Sequence, residues 1–222
     1  MVDAYNHPGS MIARAYDLRS GIYDKTVARS EFKYHLEALR RIDWRPEMRI
    51  LEVATGPGRV LSEIATRSGK GTTLHGLDLS QKMLTRTRKR LDRLGFRNYE
   101  LQKGDCRHLP WPDEHFDLLY NGYMMDLIPD ADMDQVLAEF LRVLTPGGQL
   151  ILLNMSKQDD GTGFLESLYE TLPAPLALYF MGNCRPVHMA KRVAGAGFRG
   201  VKREYLAGRH PSEIVTANKE IG

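Results

Sequence analysis

The sequence predicts a doubly wound α/β fold: a seven-stranded, mostly parallel sheet with helices on both faces. Three observations carry this. Short apolar runs suited to buried strands alternate with stretches whose apolar residues recur at helical spacing, and seven such strand candidates can be read along the chain. One of them leads directly into a glycine-rich turn and a helix. Polar residues (Glu52, Asp78, Asp105 and Asn121) recur at the ends of the first four candidates, where an open parallel sheet gathers its ligands.

The glycine-rich turn lies in Arg49-Ile50-Leu51-Glu52-Val53-Ala54-Thr55-Gly56-Pro57-Gly58-Arg59-Val60-Leu61. Ile50, Leu51 and Val53 suit a strand buried on both faces, and Val60, Leu61, Ile64 and Ala65 fall on one side of a helix. Gly56 and Gly58 allow positive φ and close approach of a ligand to the free N–H groups at the helix start. A dinucleotide fingerprint needs a third glycine where this chain has Leu61, and a phosphate loop needs a Lys-Ser or Lys-Thr pair that is missing here. Glu52 would repel phosphates and attract an ammonium group, so the expected ligand is partly cationic.

Length and composition bound the rest. At 222 residues the chain suits one domain, with no low-complexity run and no apolar stretch near the roughly 20 residues that span a bilayer. The first ten residues lack the order of a signal peptide, and Cys106 and Cys184 show no paired spacing, so a cytoplasmic protein is expected. With 31 Lys and Arg against 28 Asp and Glu, the net charge of +3 does not point to nucleic acid.

In chain order, residues 11–45 read as an N-terminal helical cap, with Phe32, Leu36 and Leu39 at helical spacing. Tyr16 and Tyr23 suit either packing with a polar tip or the lining of a site. The strand Leu74 to Leu79 ends at Asp78, and Ser80 caps the helix that follows. That helix, Gln81 to Leu94, is expected to bury Met83, Leu84, Leu91 and Leu94, and Gly95 stops it. Its face of Lys82, Arg86, Arg88, Lys89, Arg90 and Arg93 suits solvent or an anionic membrane surface. Tyr99 to Lys103 is the third strand, followed by Asp105 and Cys106. Phe116 to Asn121 is the fourth.

A helix bearing Met133, Val136, Leu137, Phe140 and Leu141 leads through Thr145-Pro146-Gly147-Gly148 into the fifth strand, Gln149 to Met155. Residues 156–184 read as an inserted helical lid or a core helix pair. Arg185 and His188 open a last helix ending at Gly195 or Gly197, and Val201 to Tyr205 and Ile214 to Ala217 are the final strands. The expected organisation is therefore a cap over 1–45, a core over 46–155, a lid over 156–184 and a terminal segment over 185–222.

Three motifs carry a resemblance to a known family. Ile50 to Gly58 resembles the first motif of class I S-adenosylmethionine-dependent methyltransferases. Leu109-Pro110-Trp111-Pro112-Asp113 followed by Phe116-Asp117, and Arg142-Val143-Leu144-Thr145-Pro146-Gly147-Gly148, resemble the ubiquinone/menaquinone-biosynthesis branch. The resemblance covers residues 46–155 and the terminal strands. It implies S-adenosylmethionine as cofactor, S-adenosylhomocysteine as product and a small-molecule acceptor, with no metal.

By the same resemblance Glu52, Ala54, Gly56 and Gly58 line the methionine portion, and Asp78 accepts from the ribose hydroxyls. Leu79 and Met83 flank adenine, Asp105 takes its amine, amides near Cys106 serve the ring, and Asn121 lies at the sulfonium end. Quinol methylases resemble Gly-Leu-Arg-Asn where this chain has Met124-Met125-Asp126-Leu127, so Asp126 replaces the arginine and Leu127 the asparagine. Asp126 suits a general base, an anchor for a cationic acceptor or a helix-start charge. Tyr123 and His188 join it as catalytic candidates, and Tyr16, Tyr23 and Arg185 as acceptor-binding ones. A lipid N-methyltransferase and a cofactor-sensing module without catalysis are the rival readings.

Overall fold

The computed structural model describes residues 27–69, 71–156, 186–208 and 211–222. In order, the elements are α1 (Val27–Leu39), β1 (Arg49–Val53), α2 (Arg59–Arg67), β2 (Thr73–Asp78), α3 (Gln81–Arg93), β3 (Tyr99–Lys103), β4 (Phe116–Gly122), α4 (Met133–Val143), β5 (Leu144–Met155), α5 (Ala190–Gly195), β6 (Arg199–Leu206) and β7 (Ser212–Asn218). Two short 3-10 turns, Met125–Leu127 and Asp130–Asp132, join β4 to α4. The seven strands form one sheet in the order β3-β2-β1-β4-β5-β7-β6. β1 to β5 run parallel, and β7 is antiparallel to both β5 and β6. The predicted doubly wound, mostly parallel sheet is therefore what the chain adopts.

Alternation along the central strands sorts the core into two layers. Ile50, Leu118, Tyr120, Ile151 and Leu153 face α1 and α2, meeting Ala38, Leu39, Leu61 and Ile64, and this layer includes the partly buried Trp44. Leu51, Val53, Leu119, Leu150 and Leu152 face the other way onto Val136, Phe140 and Val193 of α4 and α5, and Trp111 is buried in that layer. The chain reverses its direction of winding between β1 and β4, and the crevice above those two strand tips is where such sheets bind ligands.

Local chemistry sets the elements around that crevice. Gly58 caps α2 in the left-handed region with no side-chain cap hydrogen bond, so the N–H groups of the first turn are not satisfied by a capping side chain. Ser80 accepts from the Met83 amide at 3.2 Å and starts α3 where the sequence predicts. Gly95, with φ 75°, stops α3. Leu94 departs from expectation: at 50% exposed it is outside the core, because the helix ends at Arg93 before its last turn can return to the sheet. β5 also begins earlier than expected, since Leu144 pairs with Phe116 ahead of a register shift. The expected cap before residue 27 and the lid after residue 156 lie outside the described residues.

The two loop glycines do different work. A Cβ on Gly58 would lie 2.7 Å from the Thr87 backbone, whereas a Cβ on Gly56 would meet nothing within 4 Å. Gly58 therefore lets the loop press against α3, and Gly56 leaves open space beside it. Both have positive φ. Gly58→Ala should lower stability by roughly 2 to 4 kcal/mol, combining left-handed strain with overpacking, and Gly56→Ala by about 1 to 2 kcal/mol from strain alone. Urea midpoints of the two variants check this, and equal losses would reject the division of labour.

Candidate active site

The tips of β1 and β2 are tied together by one carboxylate. Asp78 accepts from the Gly56 amide through Oδ2 and from the Ser80 amide through Oδ1, both at 2.8 Å. The amides of Ala54 and Thr55 also bond to the Leu77 carbonyl, at 2.8 and 3.1 Å. Arg90 of α3 donates to the Pro57 carbonyl at 3.2 Å. The glycine loop is thus fixed from below and from the side. Ala54, just past β1, and Tyr123, just past β4, both hold positive φ, of 61° and 54°. Such strain in non-glycine residues at two adjacent strand tips is a feature that surrounding structure must maintain.

Glu52 lies under this loop, 3% exposed, and its Oε2 has no hydrogen-bond partner. Burial, and next to it the negative charge of Asp78, push its carboxyl well above the usual carboxylate range, against a backbone bond from Leu61. Thr55 Oγ1 is likewise buried without a partner. An acceptor oxygen held out of water costs about 1 to 3 kcal/mol unless something donates to it. A ligand bringing an ammonium group beside Glu52 satisfies that oxygen, so these residues fit the cationic ligand expected from the sequence.

Behind Glu52 stands a phenol. Tyr120, paired with Glu52 across β1 and β4, is fully buried and shares a 2.7 Å hydrogen bond with Nδ1 of His35 on α1. Burial, followed by the charge of Glu52, holds the phenol protonated, and burial lowers His35 to about 3. A Cβ at Gly122 would lie 2.6 Å from the His35 ring, so that glycine admits the imidazole. His35 has no helical-spacing signal of its own, and the sequence does not single it out.

The other expected cofactor residues fall as follows. Leu79 is 37% exposed beyond β2, while Met83 is buried at the start of α3. Asp105 turns into its own loop: its two oxygens accept from Nε, the terminal nitrogen and the amide of Arg107 at 2.6 to 3.0 Å, and Arg107 also reaches Asp132 at 2.8 Å. The Arg107 bonds hold the Asp105 carboxyl below its usual range, so an adenine amine would share an acceptor already in use. Cys106 is buried, and burial pushes its thiol up to about 12, which suits a filler rather than a nucleophile. Asn121 is the penultimate residue of β4, at the strand end where the sequence places it. It is 0% exposed within β4, its Nδ2 donating to the Val53 carbonyl of β1 at 2.8 Å while its Oδ1 has no partner.

Of the catalytic candidates, Asp126 is 0% exposed in the turn after β4, its Oδ2 3.4 Å from the Met155 amide of β5. Tyr123 bonds through its hydroxyl to Ser212 of β7 at 2.9 Å. His188 is exposed between buried Val187 and Met189. Tyr16, Tyr23 and Arg185 lie outside the described residues. Asn154 was missed: it is 0% exposed at the end of β5, with neither amide atom partnered. Glu213 was missed too, and it is fully buried in an ion pair with Arg203 at 2.6 Å. Among the described residues no group of His, Cys, Asp and Glu is arranged to hold a metal ion.

Comparison with known proteins gives this geometry a relationship. Residues 50–148 match the family described as a methyltransferase domain. The ubiquinone/menaquinone biosynthesis C-methyltransferase of Geotalea daltonii is 30% identical over 146 residues, which are 65% of this chain and 60% of that protein. The chain thus spans about three fifths of that relative's length. Among solved structures, a [4+2]-cyclase, SpnF, superposes with a TM-score of 0.80 at 16% identity, covering 97% of this chain and 98% of the other. A SAM-dependent methyltransferase from Aquifex aeolicus gives 0.64 at 18% identity, over 96% and 100%. The structural likenesses establish the fold.

Two outcomes are expected. Glu52 has a folded-state pKa raised above its unfolded value, so its contribution to stability is complete below the unfolded pKa and is lost as pH rises through the folded one. Glu52→Gln stays neutral throughout, so in ligand-free protein its advantage over the wild type should grow as pH rises above about 4.3, the unfolded value. Urea midpoints across a pH series measure this, and a pH-independent difference would contradict it. Asp78→Asn replaces one acceptor oxygen with a donor facing an amide, and should weaken binding of S-adenosylhomocysteine by about 1 to 3 kcal/mol. Calorimetric titration giving wild-type affinity would remove Asp78 from the site.

Proposed function

We propose that this chain, a class I methyltransferase domain resembling the ubiquinone/menaquinone branch, transfers a methyl group from S-adenosylmethionine to a quinol-type small molecule. The observation that carries the reading is the pairing of a partnerless buried Glu52 oxygen with a glycine loop held open by Asp78, inside the stretch that matches the methyltransferase domain. The name of the Geotalea relative supports the acceptor class. We read the whole chain as one domain, on the single continuous sheet, and as a cytoplasmic protein. The exposed Arg88, Lys89 and Arg93 of α3 support transient contact with an anionic membrane, where an apolar quinol would be met.

The cofactor supplies an electrophilic methyl carbon on a sulfonium. The carbon–sulfur bond breaks as the acceptor's bond to that carbon forms, and the acceptor's proton must go to a base. The protein's part is to fix the reactants and exclude water. Glu52 faces the ammonium end, and Asp78 accepts from the ribose while fixing the loop. Asp126, wholly enclosed beside the β4 tip, is the proton acceptor for the quinol hydroxyl.

Labelled methyl transfer into the small-molecule fraction of a cell extract, followed by mass analysis, tests the function. Label in no small molecule, or in lipid headgroups alone, would reject the quinol reading. For Asp126→Asn, methyl transfer should fall at least tenfold, about 1.4 kcal/mol of barrier, with affinity for S-adenosylhomocysteine unchanged. Turnover near that of the wild type would show that Asp126 only starts its turn.

A further inference from the structure

The side chain of Asn154 has no hydrogen bond among the described residues although it is completely enclosed. Its Oδ1 and Nδ2 both lack partners at 0% exposure. Its neighbours do not share that fate: on the adjacent strand Glu213 bonds to the Met189 amide at 2.8 Å and to Arg203, and Ser156 bonds to Arg203 at 2.9 Å. The local backbone therefore satisfies the polar groups it needs. Asn154 is left over.

A second partnerless amide oxygen lies on the same face of the sheet. Asn121 of β4 pairs with Leu152 of β5, and Asn154 is two residues further along β5, so strand spacing and rise put the two residues about 8 Å apart. Nδ2 of Asn121 is fixed by the Val53 carbonyl, which leaves its Oδ1 directed elsewhere. The Met125–Leu127 turn packs over the end of β5 and carries Asp126 to within 3.4 Å of the amide following Asn154. Asn121, Asn154 and the Asp126 turn thus bring one donor and several acceptors to the same end of β4 and β5. β4 is one of the two strands whose tips border the crevice, and β5 lies on its far side from β1.

We propose that Asn154, with Asn121, binds and orients a hydroxyl group of the methyl acceptor. A hydroxyl matches an amide pair because it donates to one oxygen and accepts from the other nitrogen, which neither an ammonium nor an apolar group does. The assignment rests on the methyltransferase reading. Enclosed and unpaired, Asn154 lowers the stability of the ligand-free protein, and the acceptor's hydroxyl removes that defect on binding.

The test uses Asn154→Leu, nearly isosteric and unable to hydrogen-bond, with Asn154→Ser as a variant that keeps a donor and an acceptor. The probe is 1,4-naphthalenediol held reduced, with labelled S-adenosylmethionine. For Asn154→Leu the ligand-free Tm should rise by about 2 to 4 °C. KM for the diol should rise at least tenfold, affinity for S-adenosylhomocysteine should stay at the wild-type value, and Asn154→Ser should recover part of the KM. An unchanged KM overturns the proposal, as does a lower Tm with unchanged KM, which would mark a structural amide bridged by internal water. A wild type that binds S-adenosylhomocysteine but does not methylate the diol rejects the hydroxyl acceptor. A wild type that does not bind S-adenosylhomocysteine rejects the underlying reading instead.

Discussion

The carboxylate of Asp78 determines the shape of everything above the sheet. Two amides from separate turns converge on it at 2.8 Å, one from the glycine loop after β1 and one from the start of α3. Charge-assisted bonds of this kind are about twice as strong as neutral ones. They hold the loop in a left-handed path that only glycine adopts without strain, and the same carboxylate adds its charge to the burial that raises the Glu52 carboxyl above its usual range. Loop conformation and the start of α3 therefore depend on the same two oxygens, which also add to the effect of burial on Glu52.

Much of this was legible in the sequence because it is local. The glycine spacing, the Ser80 cap and the acids at strand ends each depend on neighbours within a few residues, and the chain itself displays them. Asn154 and His35 depend on topology. Nothing near Asn154 in sequence shows that Asn121 shares its face, since that follows only from β5 lying against β4 in one register. His35 acquires meaning from Tyr120, far away along the chain, and from the missing side chain at Gly122. Asp105 combines the two cases: its place just past β3 is local and legible, whereas the bonds that Arg107 makes to both of its oxygens are set by the path of the loop.

Fold and chemistry separate clearly here. A cyclase and a methyltransferase superpose on the same backbone at similar identity, so the arrangement of strands does not select a reaction. What distinguishes this chain's crevice is a set of buried polar groups on either side of it. Glu52 and Thr55 beneath the loop, and Asn121 and Asn154 on the opposite face, retain atoms without partners at positions where apolar residues would pack more stably.

The division of the core into two layers also gives the protein a pair of built-in optical probes. The sequence has two tryptophans, and each layer holds one: Trp44 on the α1/α2 side, and Trp111, packed edge-on against Phe116 at 5.3 Å, on the α4/α5 side. Indole emission shifts as its surroundings become wet, so replacing either tryptophan with phenylalanine leaves the other as sole reporter of its own layer. Loss of structure on the two faces can then be timed separately, showing whether the sheet sheds its helices together or one side before the other.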